Sequence, residues 1–279
     1  MAKDPKKEET SLQTTENGDS DLSVAISNLP KDKQEAVLQL FRQMRPNDED
    51  YGEMTDVRWR PTILSLKQPT TRKAPDTAQN GDLYSNDTGR VYDRPLEFVP
   101  IYPYTNRARF PPGAQRPDCR SEDEKKSIYG DLCAKCPDRP WKDGQKQSCA
   151  RTTNILATTP SFNRVFMLQF RGASFKKGVE IVNQAVSDGE RLHQRIYTLD
   201  TKKEEGKQGV YYTLAPSYKG AVDEKFIPIG EAMYAELKSQ RAELIRKIAE
   251  NAAESGSRIE DVGDAVDSGD ESPADFSDL

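Results

Sequence analysis

The stretch DCRSEDEKKSIYGDLCAKCPDRPWKDGQKQSCART, residues 118–152, contains all four cysteines of the chain. They are spaced C-x13-C-x2-C-x12-C, at Cys119, Cys133, Cys136 and Cys149. A C-x2-C pair can place two thiolates about 2.3 Å from one zinc ion, and two outlying cysteines complete a tetrahedron. The spacing therefore predicts one structural Zn2+ ion that is held by these four residues.

Two other uses of the thiols stay open. Two disulfides are the first, although no secretory segment is visible and disulfides are rare inside cells. A redox-active C-x2-C pair is the second, but it lacks a βαβ setting and leaves the outer cysteines unexplained. The confinement of all four cysteines to residues 119–149 of a 279-residue chain favours a shared metal ion.

Charge is distributed unevenly along the chain, whose net charge is -5. Residues 260–279 carry eight acidic side chains and no basic one, and residues 1–29 carry six acidic and three basic ones. The two flanks thus hold eleven net negative charges, so residues 30–259 carry +6. A basic body with an acidic tail indicates a polyanionic ligand. The polar composition also predicts disorder at both ends, in residues 1–29 and 255–279.

Several classes of protein are disfavoured by what the sequence lacks. No apolar run is long enough for a membrane span and no signal peptide is visible, which predicts a soluble, cytoplasmic protein without a membrane partner. The sequence has one histidine, His193, on a predicted strand, and neither a phosphate-binding loop nor a dinucleotide-binding glycine motif. A four-cysteine zinc site leaves no open coordination position. We therefore expect no catalytic residues and no enzymatic activity.

Hydrophobic periodicity predicts a mixture of short strands and helices. Prolines in the extended run 96–104 indicate an edge strand or a bulge, and the cysteine segment interrupts the strands as an insertion. The predicted elements are a helix at 31–45, extended runs at 58–66 and 96–104, a hairpin at 81–92 with its turn at 86–89, strands at 154–157 and 164–171, a helix at 173–186, paired strands at 191–201 and 209–215, and a helix at 231–251. Together they predict an α+β, mainly β fold: one domain, residues 30–254, that carries a zinc insertion at 113–152.

Cations and aromatic side chains are mixed in the body of the chain, as a groove for a single strand requires, because cations bind phosphates and flat rings stack on any base. The alternative is that the bases neutralise the zinc-thiolate charge and the rings fill the core. The candidate nucleic-acid-binding residues are Arg58, Trp59, Arg60, Tyr102, Tyr104, Arg107, Arg109, Arg139, Trp141, Lys142, Lys146, Arg151, Arg164, Phe166, Arg171 and Lys176.

The order of five motifs resembles a known family. The motifs are RWRPTILSL (58–66), GDLYSNDTG (81–89), LEFVPI (96–101), LCAKCP (132–137) with a downstream cysteine, and FRGASFKK (170–177), followed by an acidic tail. Over about residues 55–240 the chain resembles phage-encoded single-stranded DNA-binding proteins in which a zinc knuckle is inserted into an oligonucleotide-binding (OB) barrel. The resemblance implies an OB-like barrel with flanking helices, and sequence-independent binding of single-stranded DNA during replication, recombination and repair in the phage-infected cell.

The acidic tail has two predicted roles. It can compete with DNA for a basic groove, or present Asp275, Phe276, Asp278 and Leu279 to replication or recombination proteins; a tail that only aids solubility is the alternative. Two other functions also stay open. A zinc-knuckle transcription or host-takeover factor would bind a polymerase or duplex DNA, and a virion or scaffold protein would bind no oligonucleotide.

Overall fold

The computed structural model describes residues 24, 26–44, 61–71, 73–109, 117–129, 132–136, 149–206 and 209–255. These residues form one mainly β, α+β unit, which confirms the predicted fold class at that level. The strands are β1 (Thr62–Leu66), β2 (Leu83–Ser85), β3 (Val91–Tyr92), β4 (Leu96–Arg109), β5 (Cys119–Ser121), β6 (Cys149–Thr158), β7 (Val165–Arg171), β8 (Arg195–Gly206) and β9 (Gly209–Ala221). The helices are α1 (Lys31–Met44), α2 (Phe175–Ser187) and α3 (Ile227–Ser255).

The strands of the described residues form one sheet in the order β3-β2-β1-β7-β6-β4-β8-β9, with β5 on the side of β4. The sheet curls into a half-barrel, because β9 returns to the end that carries β1. The Gln68 side-chain amide donates to the Tyr212 carbonyl and accepts from the Tyr212 N–H, both at 2.8 Å. Gly81 (φ 91°) allows this closure, since a Cβ there would lie 2.6 Å from the Tyr212 ring.

Both faces of the central strands are buried. Leu156 and Met167 belong to a core that α1 and α3 cover, whereas Ile155 and Leu168 belong to a second core, which contains Ile181 of α2. Strands that are covered on both sides have continuous apolar sequences, which explains why the segments 154–157 and 165–168 show no alternation of polar and apolar residues.

Strand β4 contains the predicted bulge, between Pro100 and Tyr102. It is not an edge strand, because β6 pairs with it from Val99 to Arg109. On its other side, β8 pairs with residues 96–98 and β5 with residues 107–109. The described registers thus leave one side of β4 unpaired around Pro100 and Pro103, which is where a residue without an N–H is tolerated.

Other predictions are confirmed with changed bounds. The hairpin of β2 and β3 closes through the Gly89 N–H, which donates to the Ser85 carbonyl, and α3 is longer than predicted at both ends. The prediction for residues 202–206 as a connection is wrong, because they continue β8 and pair with β9. His193 lies in a short 3-10 helix (Leu192–Gln194) rather than on a strand; burial, its largest influence, lowers its pKa.

Candidate nucleic-acid interface and thiol cluster

The four cysteines converge on one end of β4. Cys119 on β5 and Cys149 on β6 both pair opposite Arg109, one from each side. Cys133 begins a 3-10 helix, its N–H donates to the Lys125 carbonyl, and the Cys136 N–H closes the turn on the Cys133 carbonyl. Cysteines far apart in sequence therefore meet because β5 and β6 flank the same strand.

The thiols are close enough to affect one another electrostatically. Burial raises the pKa of Cys119, and the neighbouring Cys149 adds to that rise while Arg109 opposes it. Burial also raises the pKa of Cys149, and Arg107 counteracts it. All four thiols are free in the structure. Because Cys133 and Cys136 contribute to both shifts, the four residues form a single cluster, which we call the thiol cluster.

The chemistry of this cluster fits a thiolate-bound metal ion. Arg107 is 4% exposed, its Nη1 donates to the Cys149 carbonyl at 3.3 Å, its charge lowers the pKa of the Cys149 thiol, and its Nε has no hydrogen-bond acceptor among the described residues. A buried guanidinium beside a sulfur stabilises the thiolate that a metal requires. The thiols are not at ligand spacing in the structure, since no group of three or more His, Cys, Asp or Glu among the described residues is arranged to hold a metal.

Three of the predicted DNA-binding arginines are paired with acidic side chains. Glu124 accepts from Arg151 Nε at 2.7 Å and lies 3.8 Å from Arg107 Nε. Asp118 accepts from Arg109 Nε at 2.9 Å. These ion pairs neutralise much of the positive charge that a phosphate would meet. The three arginines therefore act mainly within the fold.

The predicted stacking rings are only partly available. Phe166 is fully buried in the core under α2, so the prediction that it contacts a nucleic acid is wrong. Tyr102 and Tyr104 pack against α3, where the Tyr102 and Tyr234 ring centroids lie 5.7 Å apart and the Arg241 guanidinium lies 3.9 Å from the Tyr104 ring centroid. One face of the Tyr104 ring is therefore covered.

Of the remaining predicted cations, Arg164, Arg171 and Lys176 are exposed. Arg164 precedes β7 and Arg171 ends it, so the strand length of about 3.3 Å per residue separates their backbones by roughly 23 Å. Arg171 and Lys176 are separated along the chain by the 3-10 helix Gly172–Ser174 and by Phe175. The candidates Arg58, Trp59, Arg60, Arg139, Trp141, Lys142 and Lys146, and the tail residues Asp275, Phe276, Asp278 and Leu279, lie outside the described residues.

An open groove of about 1060 Å³ lies beside Arg171. One wall is β1 with the loop that follows it, and a second is the end of β7 with the 3-10 helix Gly172–Ser174. The third is formed by the end of β8 and the beginning of β9, where the two strands connect. Tyr84, Tyr211 and Tyr212 line it together with Gln169 and Arg171. Among the described residues, the groove thus combines the cation of Arg171 with aromatic rings and amide groups.

Sequence analysis found Arg171 but missed the tyrosines and glutamines of the groove. Tyr84 and Tyr212 lie more than one hundred residues apart and meet only through the closure of the half-barrel. The one local signal was the motif FRGASFKK (170–177), because its glycine and small residues form the wall. Nothing in the local sequence around Tyr211 distinguishes it from an ordinary strand residue.

One known protein family has a model that matches this part of the chain. A family model described as Pam3 phage gp34-like protein matches residues 67–243, which is more than half of the chain. The chain belongs to the Pam3 phage gp34-like family. No curated protein and no solved structure matches it significantly.

The match to the Pam3 phage gp34-like family begins directly after β1 and ends within α3, so it includes the thiol cluster and all of the groove except Leu64, Ser65 and Leu66 on β1. It excludes Arg58, Trp59 and Arg60, and it also excludes the acidic tail. Among the described residues, no helix is both long and apolar enough to cross a lipid bilayer.

Proposed function

We propose that this member of the Pam3 phage gp34-like family binds single-stranded DNA without sequence preference, in the replication, recombination and repair of phage DNA in the infected cell. The observation that carries the proposal is the open groove that places Arg171 beside the partly exposed rings of Tyr211 and Tyr212. Cations hold the phosphates of a flexible strand, and flat rings stack on any base. The proposed role is one of binding rather than catalysis.

The charge of the groove supports a phosphate-bearing ligand. Its volume of about 1060 Å³ lies at the upper end of the range of about 300–1,000 Å³ that is typical of small-molecule sites, so the charge and not the size favours a nucleic acid. Of the arginines that sequence analysis named, Arg171 has no acidic partner among the described residues, whereas Arg107, Arg109 and Arg151 do. A curled sheet with a groove across it also agrees with the OB-like barrel that the sequence resemblance implies.

The binding proposal is tested with fluorescent oligonucleotides, single-stranded and duplex, at several salt concentrations. We expect preference for the single strand and a slope of log affinity against log salt of about -0.7 for each phosphate contacted. Tyr211→Ala should weaken binding by about 1–3 kcal/mol if its ring stacks on a base. Tyr218→Ala is the matched control, because Tyr218 is exposed on the same strand but does not line the groove.

Two outcomes would contradict this proposal. Equal or stronger binding of the duplex would favour a transcription or host-takeover factor instead. Equal effects of the Tyr211 and Tyr218 substitutions would show that the groove is not the binding surface.

We also propose that Cys119, Cys133, Cys136 and Cys149 hold one structural zinc ion. The proposal is supported by their convergence on β4 and by the buried Arg107 beside Cys149. The ion would tie β5 and the 3-10 helix of Cys133 to β6, an arrangement in which metal binding contributes folding free energy.

Metal analysis of protein purified without added zinc should give about one equivalent, and chelation should lower the melting temperature. Cys133→Ser should lose both the metal and the effect of the chelator. A metal content near zero together with four freely reactive thiols in the native protein would contradict the zinc proposal.

A further inference from the structure

A line of hydrogen bonds runs across the sheet and ends at the groove. Arg171 Nη2 donates to Gln169 Oε1 at 2.7 Å, Gln169 Nε2 donates to Asn154 Oδ1 at 3.2 Å, and Asn154 Nδ2 donates to Asn106 Oδ1 at 3.0 Å. The four residues come from three neighbouring strands. Their side chains therefore connect the interior of the sheet to Arg171, which lines the groove.

Strand register explains why these side chains meet. Gln169 on β7 pairs directly opposite Asn154 on β6, and Arg171 is two residues further along, so it lies on the same face. Asn106 on β4 pairs opposite Thr152, which places it diagonally from Asn154 on that same face. The line is a consequence of the sheet rather than of a flexible surface contact.

The line has a single direction. Gln169 and Asn154 each accept through the amide oxygen and donate through the amide nitrogen, so reversing one amide would break two bonds. Asn154 is fully buried, which holds its orientation in place. Hydrogen bonds in such a chain polarise one another. Arg171 has only donors, so Gln169 presents its oxygen to it, and the bonds of Gln169 to Asn154 and of Asn154 to Asn106 then fix the other amides in the same direction.

A neutral amide holds a guanidinium without cancelling its charge. Glu124 and Asp118 orient Arg151 and Arg109, but they also neutralise them. Arg171 is oriented by an uncharged acceptor instead, and it has no acidic partner among the described residues. A cation that is both fixed and uncompensated suits an incoming phosphate, because less side-chain entropy is lost on binding.

We propose that Gln169 is a positioning residue, backed by Asn154 and Asn106, that holds Arg171 ready for a phosphate of single-stranded DNA in the groove. This inference rests on the proposed function. Its distinct content is that Gln169 contributes to binding only through Arg171.

The test is a double-mutant cycle of Gln169→Met and Arg171→Gln, measured with a single-stranded oligothymidine over a range of salt. Gln169→Met should weaken binding about two- to tenfold, as expected for one freed side chain, and leave the salt slope unchanged, because the charge remains. Arg171→Gln should reduce the slope by about 0.7. The double variant should bind no more weakly than Arg171→Gln alone.

A second variant and a second measurement complete the design. Gln169→Glu should reduce the salt slope as Arg171→Gln does, because the new carboxylate neutralises Arg171. In the free protein, nuclear magnetic resonance should show slow rotation of the Arg171 guanidinium, and this should be lost in Gln169→Met. That measurement needs no DNA, so it separates the geometry from the proposed function.

The outcomes distinguish the two proposals. If the wild-type protein binds no single-stranded DNA, the proposed function fails and this inference falls with it, even when the guanidinium is held. If DNA binds but Gln169→Met weakens binding equally with and without Arg171, the proposed function stands and the positioning role is overturned. Additive losses or a free guanidinium in the wild type would likewise overturn it.

Discussion

Arg241 joins three parts of the chain that are far apart in sequence. From α3 it donates through Nη1 to the Glu122 carboxylate at 2.8 Å and through Nη2 to the Glu122 carbonyl, and it lies over the Tyr104 ring. The Arg241 and Glu122 side chains are 8% and 14% exposed. From its charge alone, Arg241 would be expected at the surface. In the structure it connects the cysteine segment, through Glu122, to α3 and to Tyr104 of β4.

Arg241→Ala should lower the free energy of unfolding by about 1–3 kcal/mol, because it removes the closer of the two ion pairs of the nearly buried Glu122 and leaves only Arg120, whose Nε lies 3.7 Å from the carboxylate. Arg246→Ala is the matched control on the same helix, since its pair with Glu250 is well exposed and should be worth about 0.3–0.5 kcal/mol. Urea denaturation measures both changes. Similar losses in the two variants would show that Arg241 is not a buried connection.

Two elements of this fold, β4 and α2, depend on a single backbone feature each: a bulge in β4 and a glycine in α2. The bulge in β4 places Tyr102 and Tyr104 on the same face as Ile101, so both rings turn toward α3. Without the extra residue, strict alternation would place Tyr102 on the opposite face. Helix α2 depends on Gly178, where a Cβ would lie 2.8 Å from Phe170 Cγ.

Gly178→Ala should lower the free energy of unfolding by up to about 2 kcal/mol. Overpacking costs about 1–3 kcal/mol, which outweighs a gain in helix propensity of about 1 kcal/mol. Gly220→Ala, in strand β9, meets nothing within 4 Å and should stabilise the protein by about 0.5 kcal/mol. Thermal or urea unfolding compares the two. If both substitutions stabilise the protein alike, α2 does not press on Phe170.

Charge is a property of the whole molecule. The net charge of -5 combines a basic body with an acidic segment at residues 260–279, which lies outside the described residues. Sequence analysis predicts that this segment competes with DNA, and that prediction follows from charge and tethering alone. A tethered segment has an effective concentration on the order of millimolar near its own body.

Removal of residues 260–279 changes the net charge to +3, because eight acidic side chains are lost. We expect the truncated protein to bind single-stranded oligonucleotides several-fold more tightly at low salt and only slightly more tightly at high salt, where charges are screened. Substitution of the same eight residues by Asn and Gln is the control that keeps the length. Unchanged affinity at low salt would rule out competition by the tail.

The sequence predicted more of the fold than of the candidate site. Helix α1, the β2–β3 hairpin and strand β7 were predictable, because periodicity and turn residues are local signals. Phe166 was assigned to the wrong role because a central strand is buried on both faces, and a single sequence does not show what covers it. Cys119 and Cys149 were grouped by spacing, whereas their positions on either side of Arg109 depend on which strands flank β4.

The sequence by itself determined the helices and most strands, the cysteine grouping and the separation of charge, because each depends on residues close together in the chain or on simple composition. Only the tertiary structure decided the groove. Tyr84, Arg171 and Tyr212 meet because the half-barrel closes through Gln68. Only the strand register decided that Arg171 is held by an amide while Arg151 is neutralised by Glu124. Such pairings arise from the packing of distant segments, and no local pattern encodes them.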